Sequence, residues 1–348
     1  MNTSVSLPKI IGIIFLAIIG LIVILAGNSC SSSVPAIDAQ ITYFNAASGI
    51  YYPGDEVISY LRFKNTGRKP WTFWVGYSVW DKTEQRYDIT SHPVTLDVGE
   101  ESTIQGKSWR VPSESLYMTG EYKVAMAVWD TSPEDNEYAA QLAYQERANS
   151  FQIFRYFEQF DDFNTKLWKK SNHNMEKSYI DPDNIDINDG YLRLKIPAGT
   201  LNGGEISSKN HFQYGAYRTR LQVPCVKGAI TGFFLYQDVS GGSDEIDIEI
   251  YHDKDGWQIT FTTYIKGTIT NTAKKPLMFD PCADYHEYWI DFYPEKVSFF
   301  VDGEVLQEFS SGLPQNSVKL LVNTWFPEWL QSVSLAKDEY TYIDWIQY

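Results

Sequence analysis

The chain contains no long basic run. With 29 Lys and Arg against 44 Asp and Glu, its formal net charge is −15, which argues against nucleic acid as a partner, because phosphates demand neutralisation by Lys and Arg. The same acidity disfavours anionic substrates. Internal repeats and low-complexity tracts are absent. Disorder is excluded by composition: 43% of the 348 residues are hydrophobic, with 11 Trp, 24 Tyr and 19 Phe, ample for a packed core. Cysteine is scarce. Cys30 closes an N-terminal leader, which leaves Cys225 and Cys282; outside the cell these two either pair as a disulfide or remain free thiols. From about Phe157 onward no stretch reads as a helix of ten residues or more.

One long apolar run is present, in "MNTSVSLPKIIGIIFLAIIGLIVILAGNSC". Lys9 supplies a positive flank, and the uncharged run from Ile10 to Gly27 is roughly 18 residues long, the short end of what spans a bilayer. Residues 1–30 are therefore read as an N-terminal apolar helix serving as signal peptide or membrane anchor. Cys30 and the serines after it are weakly similar to a lipid-attachment site. The remainder of the chain is expected outside the cytoplasm, extracellular or at the cell surface, with the membrane met only through this segment.

A small-residue linker is read over residues 31–40. Then come short segments rich in Val, Ile, Thr and aromatics, among them "VISYLRFKN", "TFWVGYSVWD" and "YKVAMAVWD", separated by turn signals such as Pro53-Gly54-Asp55 and Asn65-Thr66-Gly67. Val57, Leu61 and Phe63 share one face of their segment while Arg62 and Lys64 take the other. Such spacing predicts an antiparallel β-sandwich over 41–155, and "GD-V-----F-NTG" resembles immunoglobulin-like modules of prokaryotic surface proteins. No acid, base or metal cluster stands out here, so a spacer or partner-binding role is expected, with sugar binding through exposed tryptophans as the other reading. Residues 156–348 carry strand candidates to the end, from "YLRLKI" to "YTYIDWIQY". So many strands imply a two-sheet jelly roll. The fold class is all-β.

Within that block, "SDEIDIEIYH" alternates acid and isoleucine. In a strand, side chains at i, i+2 and i+4 share a face about 6.6 Å apart, so Glu245, Asp247 and Glu249 form one row and Ile246, Ile248 and Ile250 face the core. Asp244 adds negative charge, and no Lys or Arg is interleaved within the strand. A solvated face is the plain explanation. The sharper one is catalytic: crowded carboxylates raise each other's pKa, so one stays protonated while another is ionised. Glycoside hydrolysis needs that division of labour. A calcium ion suits the row less well, since carboxylates along a strand converge poorly on one ion.

Glu245-Ile246-Asp247-Ile248-Glu249 resembles the active-site strand of family 16 glycoside hydrolases, a concanavalin-like jelly-roll family that cleaves or rearranges β-glucans and galactans. "YGAYRTRLQV", "ITGFF", "YHEYWIDFYPEKVSFFVDGE" and "VNTWFPEWL" follow in the family's order, covering roughly Phe157 to Tyr348. The resemblance implies that Glu245 is the nucleophile, Glu249 the general acid/base, and Asp247 a tuning partner of the nucleophile. It also implies retention through a covalent glycosyl-enzyme. Strand geometry alone leaves this open, because the α-carbons of Glu245 and Glu249 lie about 13 Å apart in a straight strand, and a retaining pair needs carboxyls about 5–5.5 Å apart.

Sugar chains offer apolar C–H faces and hydroxyl edges. Glu205, Tyr264, Asn323, Trp325 and Trp329 resemble the family's substrate-lining positions. Three positions depart from the mixed-linkage glucanase pattern: Ser243 where a Trp is usual, Ser207 where an Arg is usual, and Thr262 where an Asn is usual. Asp344 and the backbone of Gly190 resemble ligands of a structural calcium; no cofactor is expected for catalysis. The reading is an exported, monomeric endo-β-glucanase acting on β-1,3 or β-1,3-1,4 glucan. Its rivals are a transglycosylase that remodels surface glycans and a non-catalytic glycan-binding surface protein.

Overall fold

The structure is a computed structural model that describes residues 34–113 and 118–348. The leader expected over residues 1–30 and the start of the linker lie outside the described residues. Among the described residues every regular element is a strand, apart from one 3-10 turn at Pro182–Asn184.

The first strands build a two-sheet sandwich. Glu56–Asn65 alternates strictly: Val57, Leu61 and Phe63 are fully buried while Arg62 and Lys64 are not. This strand lies between Ala39–Asn45 and Gln105–Arg110 in a three-stranded sheet. The facing sheet has five strands, in the order Ile50–Tyr51, Gln141–Ile153, Gly120–Trp129, Trp71–Trp80 and Arg86–Leu96. Phe73, Val75, Tyr77, Val124, Met126 and Val128 close the core from that side. Burying each such side chain is worth roughly 1.5–3 kcal/mol against exposure.

The second block forms two larger antiparallel sheets stacked as a jelly roll. The seven-stranded sheet runs in the order Trp168–Lys170, Gly204–Ser208, Lys319–Trp325, Ile230–Val239, Gly242–Asp253, Gly256–Ile265 and Thr268–Pro276. The other sheet includes, in neighbouring positions, Glu339–Gln347, Gly215–Gln222, His286–Tyr293 and Lys296–Val301. Ile246, Ile248 and Ile250 from the first meet Tyr288, Ile290 and Phe292 from the second in a single core. Period-two alternation thus leaves the opposite face of the seven-stranded sheet free to carry polar groups. Cys225 and Cys282, 57 residues apart, are joined by a disulfide that ties the end of Gly215–Gln222 to the approach of His286–Tyr293.

The sandwich sits against the outer face of this second sheet. Tyr293 Oη donates to the Thr119 carbonyl at 2.9 Å, and Ala216 N donates to Thr119 Oγ1 at 2.8 Å. Gly120 has φ +114, and a Cβ there would stand 2.2 Å from Tyr293 Oη. Gly120→Ala should therefore lower stability by about 2–3 kcal/mol, from backbone strain plus overpacking. An unchanged thermal melting temperature would contradict this packing.

Candidate active site

The acid row is positioned by two tight turns. Val239 pairs with Gly242, leaving Ser240-Gly241 as a two-residue hairpin turn with Gly241 at φ +99, a conformation that favours glycine. At Gly242 a Cβ would lie 2.5 Å from the Lys266 carbonyl group, so only glycine lets the hairpin tip meet the next turn, where Gly267 N donates to the Ser243 carbonyl at 2.7 Å. These contacts set the register. Glu245 falls between Tyr236 and Tyr264, Asp247 between Phe234 and Thr262, and Glu249 between Gly232 and Thr260. None of these six cross-strand neighbours is a cation.

Ile246, Ile248 and Ile250 are buried on the core side. Asp244 shares their parity, which corrects its expected contribution to the row. It is buried, accepting from Lys266 N at 3.1 Å and from Asn316 Nδ2 at 2.7 Å. Its charge serves the turn.

The three row carboxyls are all pushed above the usual carboxylate range, and burial is the largest cause for each. Glu205 raises Glu245 further, while hydrogen bonds with Asp247 and Ser243 pull it back. The same Asp247 bond pushes Asp247 up, along with the charges of Glu245 and Glu249. The hydrogen bond between Asp247 and Glu245 thus acts in opposite directions on the two, lowering Glu245 and raising Asp247. Glu249 is pushed up to about 7 by burial, then by Glu245 and Glu176.

Raised carboxyls mean that the folded chain holds protons which the unfolded chain releases near pH 4–4.5. The unfolded state then binds fewer protons, so this contribution to stability is lost as pH rises from there to about 7. Glu249→Gln removes the burden. Its stability gain over the native chain should grow from pH 5 to pH 8, reaching on the order of 1–3 kcal/mol. Denaturant midpoints at both pH values check this, and a constant gap would contradict it.

A row perpendicular to the strands links the other polar groups. Glu205 pairs with Asn323, Asn323 with Gly232, and Gly232 with Glu249. Asn323 Nδ2 donates to Glu205 Oε2 at 3.1 Å, and both residues are buried. Asn323 Oδ1 has no partner among the described residues and lies 2.6 Å from where a Gly232 Cβ would be. Gly232 therefore makes room for the amide beside the acid row. Tyr264, half-buried, stands across from Glu245. Trp325 packs with Ile180, Ile230, Tyr251 and Leu330 at 8% exposure, whereas Trp329 is 58% exposed and meets the Tyr251 ring edge-on at 5.0 Å. Of the two tryptophans, Trp329 has the free face for a ligand. Ser207 and Thr262, two of the departing positions, are buried on the same sheet.

Sequence reasoning missed His173, whose Nε2 lies 3.3 Å from Glu205 Oε1, because it comes from a separate three-residue strand, His173–Met175. Tyr236 was also missed. Its parity in the hairpin opposite Glu245 was the available signal.

Asp344 and Gly190 do not by themselves fit a calcium ion, which wants six to eight oxygens. Arg220 Nη1 already donates to Asp344 Oδ2. Gly190 sits at φ +78 in the turn between Ile185–Asn188 and Tyr191–Ile196. Among the described residues no group of three or more His, Cys, Asp or Glu is placed to hold a metal.

The site can be set beside known proteins. The family described as Glycosyl hydrolases family 16 matches residues 171–347, just over half of the chain. The "Beta-glucanase" of Bacillus subtilis (strain 168) is 29% identical over 207 residues, covering 56% of this chain and 85% of its own. That of Paenibacillus polymyxa is 30% identical, covering 56% and 87%. The solved Bacillus licheniformis beta-glucanase superposes with a TM-score of 0.51 at 27% identity, covering 56% of this chain and 96% of its own. The acid row, the jelly roll that carries it and the extent of these matches lead to one conclusion: the chain belongs to glycosyl hydrolase family 16 and is a glycoside hydrolase acting on O-glycosyl bonds.

Proposed function

We propose that the chain is an exported, retaining endo-β-glucanase that hydrolyses β-1,3 or β-1,3-1,4 glucan. The observation that carries this is the row Glu245, Asp247 and Glu249 on a polar sheet face, with no cation at any cross-strand position. Burial raises Glu245 as it raises Glu249, but hydrogen bonds with Asp247 and Ser243 favour the carboxylate of Glu245 alone, which makes it the nucleophile. Glu249, its carboxyl raised by burial, enters protonated as the acid. Glu249 gives its proton to the glycosidic oxygen as the bond from that oxygen to C1 breaks, and Glu245 Oε forms an ester to C1. Water then attacks C1, passing its proton to the Glu249 carboxylate, and the ester bond breaks. Both carboxyls return to their starting states.

The relatives named "Beta-glucanase" support a glucan as the polymer. Glu205, Asn323 and Trp329 supply hydroxyl partners and an exposed ring for it. Export is supported by the apolar run Ile10–Gly27 and by the Cys225–Cys282 bond, since disulfides persist in oxidising compartments. The test is a panel of mixed-linkage glucan, β-1,3-glucan, agarose and carrageenan, followed by new reducing ends and product size. Cleavage of a glucan with falling chain length is expected. Size redistribution without new reducing ends would make the chain a transglycosylase, and binding without turnover would make it a lectin.

A further inference from the structure

Both ring nitrogens of His173, at the Glu205 end of the polar row, face acceptors. Nε2 lies 3.3 Å from Glu205 Oε1, and Nδ1 lies 3.2 Å from the Asn174 carbonyl oxygen. A neutral imidazole carries one N–H and one lone pair, so it satisfies one of these oxygens and repels the other. Only the doubly protonated ring donates to both. The geometry therefore selects the imidazolium.

The fold holds the ring in place from two sides. His173–Met175 pairs with Ser178–Ile180 in a small hairpin. Just before it, Ser171 N donates to the Glu205 carbonyl at 2.9 Å. At its other end Ser178 Oγ accepts from Phe326 N at 2.7 Å, and Lys177 Nζ donates to the Leu330 carbonyl at 2.7 Å. The hairpin thus bridges the Glu205 strand and the loop that carries Trp329. Two charged groups face His173 from neighbouring elements. Glu205, on Gly204–Ser208, pushes the imidazole above its ordinary value through their hydrogen bond, while burial and Lys169, on Trp168–Lys170, oppose this.

A carboxylate offers about four acceptor positions on its two oxygens. Asn323 Nδ2 fills one on Oε2 at 3.1 Å, and His173 Nε2 fills one on Oε1. One position on each oxygen is left for a hydroxyl. The Glu205 side chain is 6% exposed and that of His173 43%, so the ring forms the open wall of this subsite and the carboxylate its floor. We propose that His173 is a positioning residue for glucan binding: doubly protonated, it fixes the Glu205 carboxylate against Asn323 with its free lone pairs toward sugar hydroxyls, and binding weakens as that proton is lost with rising pH. That the hydroxyls belong to a glucan rests on the proposed function.

The test uses the full chain in detergent with Glu245→Gln, so that bound sugar is not turned over. Dissociation constants for cellotetraose and laminaritetraose are measured by calorimetry at pH 6 and pH 9, with His173 intact, as His173→Gln and as His173→Phe. A change common to all three, such as titration of Glu249, cancels in the ratios. At pH 6 the Phe variant should bind the preferred sugar about tenfold more weakly than the chain with His173, the worth of a hydrogen bond to a charged group. At pH 9 the two should agree within about twofold, because the neutral ring has lost that donor. Gln keeps an N–H near the Nε2 position and does not titrate, so it should preserve binding at both pH values. The His173 ring signal in NMR, assigned among the five His by its absence from the variants, should titrate above about 6.5. A gap between Phe and His that is equal at the two pH values, or absent at both, overturns the proposal. So does a ring that titrates at or below about 6.5, or failure of both sugars to bind at pH 6. The proposed function is judged apart, by cleavage in the panel of the native chain: cleavage of a glucan alongside an unchanging gap sinks only the role of His173.

Discussion

Glu245→Gln should abolish glucan hydrolysis, lowering kcat by at least about four orders of magnitude, because the covalent route loses its nucleophile. The loss should be in kcat, with KM little changed, since Glu205, Asn323 and Trp329 keep their side chains in the variant. Burial of Glu245 pushes its carboxyl up, so the neutral side chain should fold at least as well as the native one at pH 8. Lost activity with a native thermal melt is the expected pair of results. Activity within tenfold of native would remove Glu245 from the chemistry.

Glu249→Gln should behave differently. A general acid contributes about 10²- to 10⁴-fold, and its contribution depends on how much help the leaving group needs. Polymer hydrolysis should fall by about that much. An aryl glycoside whose phenol leaves without protonation should form the glycosyl-enzyme at close to the native rate, then stall for want of a base. A burst followed by slow turnover is therefore predicted, and an added small anionic nucleophile should relieve the stall. Because Glu249 is pushed up to about 7, native kcat/KM on the polymer should decline above about that pH, and the variant should lose that alkaline limb. Equal losses on polymer and aryl glycoside would contradict the acid role.

Alternation made much of this legible in the sequence. Strict period two in "EIDIEI" placed the three acids on one face and the isoleucines in the core. The same reasoning misplaced Asp244, whose charge was counted with the row although its parity puts it with the isoleucines. What faces the acids across the strands was not legible, because register depends on the Gly241 turn and on Gly242 meeting Lys266. Local sequence does not show contacts between distant strands. His173 on Glu205 and the Arg220 hold on Asp344 both arise that way. Trp325 and Trp329 looked alike as ring candidates, and only packing separates the buried one from the exposed one.

The central claim is that Glu245 attacks C1 and holds the sugar as an ester. The most direct measurement is to inactivate the native chain with a 2-deoxy-2-fluoro β-glucan oligosaccharide carrying a good leaving group, then map the label by peptide mass spectrometry. Stoichiometric labelling on the peptide containing Glu245, with fragment ions placing the mass on that residue, is the predicted result. A label on Glu249 or Asp247, or turnover that yields the inverted anomer with no label at all, would contradict it.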